Sequence, residues 1–114
     1  LPVAKSQLVH DAHQLEGLLV ERFDRANGAG ASGPKKLALE DAMQVLNLPP
    51  SAKYSVTTEE VCEALARHCH APLLAKRNLY MQFLFAWLSG NGDLHGKNVS
   101  MLAGHDGRFA IAPM

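Results

Sequence analysis

Asp93 and Asn98 are the two residues of this sequence whose types and spacing best suit a chemical reaction. They lie five positions apart in the polar stretch 91–100, which reads Asn-Gly-Asp-Leu-His-Gly-Lys-Asn-Val-Ser. Phosphoryl transfer needs a carboxylate that orients the attacking hydroxyl or accepts its proton, and an oxygen ligand for the metal ion on the phosphates. A loop with the pattern Asp-x-x-x-x-Asn supplies both groups. On spacing alone the signal is weak, because Asn-Gly-Asp is also good turn chemistry.

The residues between this pair fit the same chemistry. Lys97 can face a γ-phosphate or brace Asp93 as a point charge, and a solvated lysine is the alternative. His95 lies two positions after Asp93, where a structural hydrogen-bonding role is one interpretation. Asn98 offers an amide oxygen, a hard ligand of the kind that Mg²⁺ prefers, and a strand-edge asparagine is the alternative.

Two apolar segments must hold this stretch in place. The first is predicted to be a helix that starts at Pro72, runs to about Leu88 and is ended by Gly90. Apolar residues cover more than one of its faces, which predicts a central, buried helix; they are Leu73, Leu74, Leu79, Met81, Leu84, Phe85 and Leu88. After the stretch, Val99–Leu102 and Arg108–Ala112 are predicted to be strands joined by a turn.

A short helix is predicted over residues 39–46, where apolar side chains recur at helical spacing. Glu40 and Asp41 suit its first turn, because negative charge is favourable near a helix N-terminus. Asn47 can take a left-handed cap conformation, and Pro49 follows to stop the helix.

A capping box of Thr57 and Glu60 begins the next predicted helix, which runs to about His70. Cys62 and Cys69 would stand about 10 Å apart along its axis, too far for a disulfide. With nearby histidines they invite a zinc interpretation, but structural zinc needs paired ligands at short spacings. The three consecutive candidates at the end of this helix, His68, Cys69 and His70, would point in different directions, so we do not expect a zinc site. Free thiols fit a cytosolic protein.

The N-terminal part is predicted to contain two short strands, Ser6–His10 and Leu18–Arg22, paired antiparallel. Residues 26–36 follow as a flexible linker. Its glycines match G-x-G-x-x-G, but a phosphate-binding loop of that type turns directly from a strand into a helix. Because other residues intervene on both sides, a solvated linker is the better interpretation.

The composition sets broad limits on function. A chain of 114 residues is expected to form one domain. Its 11 basic and 11 acidic residues balance, which argues against a dedicated nucleic-acid surface. We find no signal peptide and no membrane-spanning stretch. Because the chain begins with Leu1 rather than methionine, we expect a fragment or a processed product.

Three motifs resemble those of one family, and they occur in its order. Gly-Asp-Leu-His-Gly-Lys-Asn-Val-Ser, residues 92–100, resembles the catalytic loop of HipA-type serine/threonine kinases, the toxins of bacterial toxin–antitoxin pairs. Leu-Val-Glu-Arg-Phe-Asp-Arg at 19–25 and Leu-Pro-Pro-Ser-Ala-Lys-Tyr at 48–54 also match. From the first motif to the last, they span residues 19–100 of the chain.

The resemblance implies an α+β fold, a fragment of a protein-kinase-like fold. It would comprise a short strand pair on the hinge side, three helices, the catalytic loop and a β-hairpin. Residues 1–114 would then be a single fragment of a HipA-like C-terminal kinase domain. Within it, 1–25 would hold the hinge-side strands, 26–36 the linker, and 37–114 the helical lobe with the catalytic loop.

The resemblance also implies an activity: with ATP and Mg²⁺, the parent protein would phosphorylate a serine or threonine of a protein substrate in the cytoplasm. Asp93 would be the catalytic residue and Asn98 the metal ligand. Nucleotide-binding residues would be Glu21, Arg22 and Phe23 at the adenine edge, and His95, Gly96, Lys97 and Asn98 near the phosphates. A helix-turn-helix antitoxin is the implied partner, with no direct nucleic-acid binding and no membrane.

Two departures from the family pattern bear on the activity, and the first of them, at Leu39, also supports an alternative function. Leu39 stands where the family commonly carries a polar residue, often glutamine, associated with the nucleotide and metal site. A second metal-binding aspartate would follow Met114 by about two residues, and the Gly-rich loop with its lysine would precede Leu1. We therefore expect the isolated fragment to be inactive. The alternative is a catalytically dead kinase scaffold that binds an antitoxin-like, DNA-binding protein.

Overall fold

The structure, a computed structural model, describes residues 1–26 and 33–114. Its helices are α1 (Ala42–Val45), α2 (Thr58–His68) and α3 (Pro72–Leu88), and a 3₁₀ turn spans Pro50–Ala52. Its strands are β1 (Ser6–His10), β2 (Glu16–Val20), β3 (Arg25–Ala26), β4 (Lys35–Lys36), β5 (Leu39–Asp41), β6 (Ser100–Ala103) and β7 (Phe109–Ile111). Three helices with small antiparallel sheets confirm the predicted α+β class.

The N-terminal strands form the predicted antiparallel pair. β1 and β2 pair from Ser6 opposite Val20 to His10 opposite Glu16, so the second strand begins two residues earlier than expected. β3 and β4 then pair Arg25 with Lys36. Both ends of the predicted linker are thus in strands, whereas 27–32, with most of its glycine motif, lie outside the described residues.

The predicted helix over 39–46 is wrong in its first half. Residues 39–41 form β5, which pairs antiparallel with β6, and β6 pairs with β7. Asp41 has an extended backbone (φ −79°, ψ 165°), and its carboxylate accepts a hydrogen bond from the Gln44 N–H, so it caps α1 instead of lying in its first turn. Asn47 does take the predicted left-handed conformation, with φ 54°.

The core lies where α2 and α3 pack together and against the three-stranded sheet. Its largest fully buried side chains are Met43, Leu65, Leu79 and Val99. The capping box at the start of α2 is confirmed, since the Glu60 N–H donates to Thr57 Oγ1 (3.2 Å) and the Thr57 N–H donates to Glu60 Oε2 (2.7 Å). α2 ends at His68, two residues before the predicted end.

The prediction that α3 is buried on several sides is wrong for this structure. Only one face is buried, formed by Ala75, Leu79, Gln82 and Ala86. On the other faces Leu73 is 83% and Trp87 is 78% exposed. The reason is that α2 and β7 contact one side of the helix, and within the described residues no element covers the rest of its apolar surface.

The two ends of the chain are hydrogen-bonded to each other. The Ala4 N–H donates to the Met114 carbonyl (2.8 Å), and the Met114 N–H donates to the Pro2 carbonyl (3.2 Å). Separately, none of the described helices has the length and apolar character needed to cross a membrane.

Candidate functional site

The stretch 91–98, here called loop 91–98, follows α3 directly. The Asn91 N–H donates to the Ala86 carbonyl (2.9 Å) in the last turn of the helix, with Gly90 between them at φ 68°. A positive φ suits glycine, which has no Cβ to clash. The Asn91 side chain then accepts from the Asp93 N–H (3.1 Å), which closes a local turn around Gly92. The backbone of Asp93 is therefore fixed to the end of the longest helix.

Gly96 is the point at which the loop touches the rest of the lobe. Its N–H donates to the Lys53 carbonyl (3.1 Å), and its carbonyl accepts from the Ala42 N–H (3.1 Å) at the start of α1. A Cβ at this position would lie 2.5 Å from Met43 Sδ and 3.2 Å from Val56 Cγ2, so only glycine fits without movement. Gly96, which the resemblance assigns to nucleotide binding, thus already uses its N–H within the fold.

The Asp93 side chain is exposed and has one polar partner in the described residues. Its Oδ1 accepts a hydrogen bond from the Tyr54 hydroxyl (2.9 Å). The Tyr54 ring meets the His95 ring edge-on, with centroids 5.1 Å apart and planes at 81°. Lys53 Nζ lies 4.8 Å from the centroid of the same tyrosine ring. Tyr54 therefore connects the two ends of the Asp93–His95 segment.

His95 and Asn98 form the second half of the loop. Asn98 Oδ1 accepts from the His95 N–H (3.1 Å), and the Asn98 N–H donates to the His95 carbonyl (2.9 Å). The Lys97 N–H donates to His95 Nδ1 (3.2 Å), so in this arrangement Nδ1 carries the lone pair and a neutral ring has its proton on Nε2. These bonds bring His95, Lys97 and Asn98 into one compact turn.

The Lys97 side chain reaches away from Asp93. Its Nζ bonds to Asp41 Oδ2 (2.7 Å), the same carboxylate that caps α1 through its other oxygen. The lysine thus braces the junction of β5 and α1 instead of the carboxylate of Asp93. Contact with a phosphate remains a prediction and would require this ion pair to exchange its partner.

Asn98 is compatible with a magnesium ligand. An amide oxygen has two lone pairs, and the bond from His95 uses one of them. Mg²⁺ in nucleotide sites takes one or two protein oxygens together with phosphates and waters, so a single exposed amide oxygen suits it. Among residues 1–26 and 33–114, no group of three or more His, Cys, Asp or Glu side chains could hold a metal ion.

The predicted adenine-edge residues follow β2. Glu21 donates its N–H to the Lys5 carbonyl (2.8 Å), and Phe23 is half-buried. Arg22 forms two hydrogen bonds to Asp24 (3.0 and 2.9 Å), which lower the pKa of that carboxyl to about 2, with Arg25 contributing. The Arg22 guanidinium is therefore engaged in an ion pair with Asp24, so a ligand would contact the backbone groups of Arg22.

The structure does not join these residues to loop 91–98 by any hydrogen bond within its described parts. It does leave the backbone groups of Arg22 and Phe23 without backbone hydrogen bonds there, as an adenine-binding segment requires. The two parts of the predicted site, residues 21–23 and loop 91–98, are thus not hydrogen-bonded to each other in the described residues.

A small cavity of about 110 Å³ lies behind loop 91–98. Its walls include Tyr54, Phe83, Leu94 and His95. Ligand pockets usually measure about 300–1,000 Å³, so this cavity is a packing gap behind the loop and not a nucleotide pocket.

Sequence reasoning missed two residues that hold the site. Tyr54 lies in the motif 48–54, but the sequence alone assigns it no role at the site. Asp41 was assigned to a helix dipole, and nothing in the sequence pairs it with Lys97, which lies 56 positions away. Both roles depend on contacts between segments that are distant in the chain.

Comparisons with known proteins agree on one family. The sequence profile of the HipA-like C-terminal domain matches residues 1–114. The serine/threonine-protein kinase toxin HipA of Shewanella oneidensis is 33% identical over 112 residues, which cover 86% of this chain and 26% of that protein. The putative kinase Y4mE of Sinorhizobium fredii is 35% identical over 89 residues, covering 75% of this chain and 21% of that one.

A solved structure matches as well. HipA of Shewanella oneidensis, determined in a complex with HipB and its operator DNA, superposes with a TM-score of 0.78 and 31% identity. The match covers 99% of this chain and 29% of the HipA chain. The present chain thus spans about a quarter of the length of the relatives that it matches.

Proposed function

Because the chain belongs to the HipA-like C-terminal domain family, we propose that it forms the hinge and the first half of the larger lobe of a serine/threonine-protein kinase. The kinase transfers the γ-phosphoryl group of ATP to a serine or threonine hydroxyl of a protein. One matched relative is named a serine/threonine-protein kinase toxin and another a putative kinase, which supports this activity. The proposal concerns the whole polypeptide that contains these residues.

The observation that carries the proposal is the presentation of Asp93. Its carboxylate is exposed at the end of α3, on a loop tied to α1 and to the segment before α2. Phosphoryl transfer depends mainly on positioning and on electrostatic stabilisation, so a fixed, solvent-facing carboxylate is what it requires. Asp93 orients the substrate hydroxyl and accepts its proton.

The other loop residues act around the nucleotide in this proposal. Asn98 would hold Mg²⁺ through its amide oxygen, and the ion would supply positive charge that neutralises the phosphates. His95 presents Nε2, since Nδ1 is occupied by the Lys97 N–H. Lys97 exchanges Asp41 for a phosphate oxygen as the nucleotide enters. At the hinge, the free backbone groups of Arg22 and Phe23 meet the adenine edge.

The first test is Asp93→Asn in the full-length protein. Transfer of radiolabelled γ-phosphate from ATP, with Mg²⁺, to the protein itself and to proteins of a bacterial lysate should fall about 10²–10⁴-fold, the usual contribution of a positioned general base. Asp106→Asn is the matched control, because Asp106 is an exposed turn aspartate that accepts a bond from the Arg108 N–H. The control should transfer phosphate at the wild-type rate.

Equal transfer by wild type and Asp93→Asn would contradict the proposal. A protein that transfers no phosphate but still binds a partner would instead support the non-catalytic alternative. Leu39 supports this alternative, because at this position the family commonly has a polar residue associated with the nucleotide. In the structure Leu39 lies in β5, opposite Leu102 of β6.

An antitoxin partner is a second element of the proposal. HipA of Shewanella oneidensis was solved with HipB and operator DNA, and the present chain matches that HipA along almost its whole length. We therefore propose a DNA-binding antitoxin of the helix-turn-helix type, which would make the kinase a toxin. Cys62 and Cys69 are free thiols, which fits the reducing cytoplasm in which such a pair would act.

A further inference from the structure

We propose that Tyr54 is the positioning residue that sets the orientation of the Asp93 carboxylate, an inference that rests on the kinase function proposed above. The tyrosine contacts neither nucleotide nor phosphate in this proposal. It acts through Asp93, to which it donates a hydrogen bond of 2.9 Å across 39 positions of sequence.

The carboxylate would otherwise be free to rotate. The Asn91 side chain holds the Asp93 backbone through the N–H, but that bond leaves the side-chain torsions unrestrained. The Tyr54 hydroxyl bonds to Oδ1, whereas Oδ2 of this exposed residue has no hydrogen-bond partner in the described residues and is available to a substrate hydroxyl. One oxygen is therefore anchored and the other remains available for the reaction. A hydrogen bond to a charged acceptor is among the stronger ones in proteins.

Tyr54 is itself held by independent contacts. Its ring packs edge-on against His95 and lies beneath the ammonium of Lys53. The Lys53 carbonyl in turn accepts from the Gly96 N–H, so the segment before α2 is hydrogen-bonded to loop 91–98. A 3₁₀ turn precedes the tyrosine, with the Lys53 N–H bonded to the Pro50 carbonyl (3.3 Å). The hydroxyl thus projects from a fixed position.

The simpler explanation is that Tyr54 only stabilises the lobe. Its exposure argues against that, since the residue is 63% exposed and little apolar surface is removed from water. Another tyrosine, Tyr80 on α3, is exposed to nearly the same extent (64%), and within the described residues its hydroxyl has no hydrogen-bond partner. Tyr54 and Tyr80 are thus similarly exposed, but only the Tyr54 hydroxyl is bonded to Asp93.

The test compares Tyr54→Phe with Tyr80→Phe in the full-length kinase. Tyr54→Phe keeps the ring and its contacts but removes the hydroxyl. We expect kcat to fall about tenfold, which corresponds to the lower end of the free energy of a hydrogen bond to a charged group. The KM for ATP should stay within about twofold of the wild-type value. Tyr80→Phe should leave both constants unchanged. Wild-type kcat in Tyr54→Phe, or a rise in KM without a fall in kcat, would overturn the inference.

A second measurement does not depend on activity. In urea unfolding, Tyr54→Phe should lower the transition midpoint in the wild-type background but not in the Asp93→Ala background, because the acceptor is then absent. An equal effect in both backgrounds, including no effect in either, would overturn the inference. If wild type and Asp93→Asn transfer phosphate equally, the kinase proposal fails, and this cycle still reports whether the hydroxyl holds Asp93.

Discussion

The absence of one methyl group decides how closely loop 91–98 approaches α1. A Cβ at Gly96 would lie closer to Met43 Sδ than real Cβ atoms approach any neighbour, and it would be in tight contact with Val56. Met43 is itself 1% exposed, so the side chain that would have to move is enclosed in the core. The loop is positioned by this close packing as much as by its hydrogen bonds.

Gly96→Ala should therefore destabilise the fold. Forcing a methyl group into a well-packed site costs about 1–3 kcal/mol, which urea unfolding can measure. The matched control is Gly92→Ala in the same loop, because a Cβ at Gly92 would have no neighbour within 4 Å. Equal effects at the two positions would contradict the packing argument.

At the residue scale, the sequence predicted the chemical groups but not what holds them. Asp93, His95, Lys97 and Asn98 lie in one short stretch, so their residue types and order could be compared with a known catalytic loop without knowledge of any tertiary contact. Their partners Tyr54 and Asp41 come from segments 39 and 56 positions away. Such pairings follow from tertiary packing, which neither composition nor periodicity records.

At the scale of elements, helix starts were predictable because capping is local. Thr57 with Glu60 three positions later marks the start of α2. Asp41 followed by Gln44 forms the same reciprocal pair at α1. That pattern was present in the sequence and was overlooked in favour of apolar periodicity, so the three residues of β5 were assigned to a helix.

Thr57→Ala should show what the α2 cap contributes. Loss of the side-chain acceptor leaves the Glu60 N–H without its partner and should cost about 0.5–2 kcal/mol of stability. Thr58→Ala is the control, because Thr58 is the first residue of the helix and makes no capping bond. Chemical denaturation of both variants measures the difference, and an equal loss at Thr58 would rule out capping as its cause.

α3 shows the limit of periodicity arguments. Apolar residues on more than one face predict burial, but burial depends on which elements are available to cover those faces. Here α2 and β7 cover one face, and Gln82 on that face donates to the Ala112 carbonyl (3.0 Å). The bounds of the helix were predictable, whereas its surroundings were not.

At the scale of the whole molecule, the ion pairs after β2 make the stability of the folded state depend on pH. Asp24 bonds both Arg22 and Arg25, and its carbonyl accepts from the Leu37 N–H (3.0 Å). The Arg22 hydrogen bonds are the main cause of the low pKa of Asp24, about 2 against an ordinary 3.8. A carboxyl with a lowered pKa stabilises the folded state above its unfolded-state pKa, and this stability is lost as the pH falls through the folded-state value.

Asp24→Asn should therefore be less stable than wild type at neutral pH. The difference should persist down to about pH 4 and shrink as the pH approaches 2, because the wild-type carboxyl is then protonated as well. Thermal unfolding of both proteins across this range measures it. A difference that does not change with pH would show that the ion pair is not its source.

The bonds that join Met114 to Pro2 and Ala4 fix a direction as well as a contact. They lie on either side of Val3, which is the pattern of two strands running parallel. In any longer polypeptide, the backbone leaving Met114 would thus run beside Lys5, whose carbonyl is bonded to the N–H of Glu21. Residues added at that point would therefore start close to the segment that follows β2.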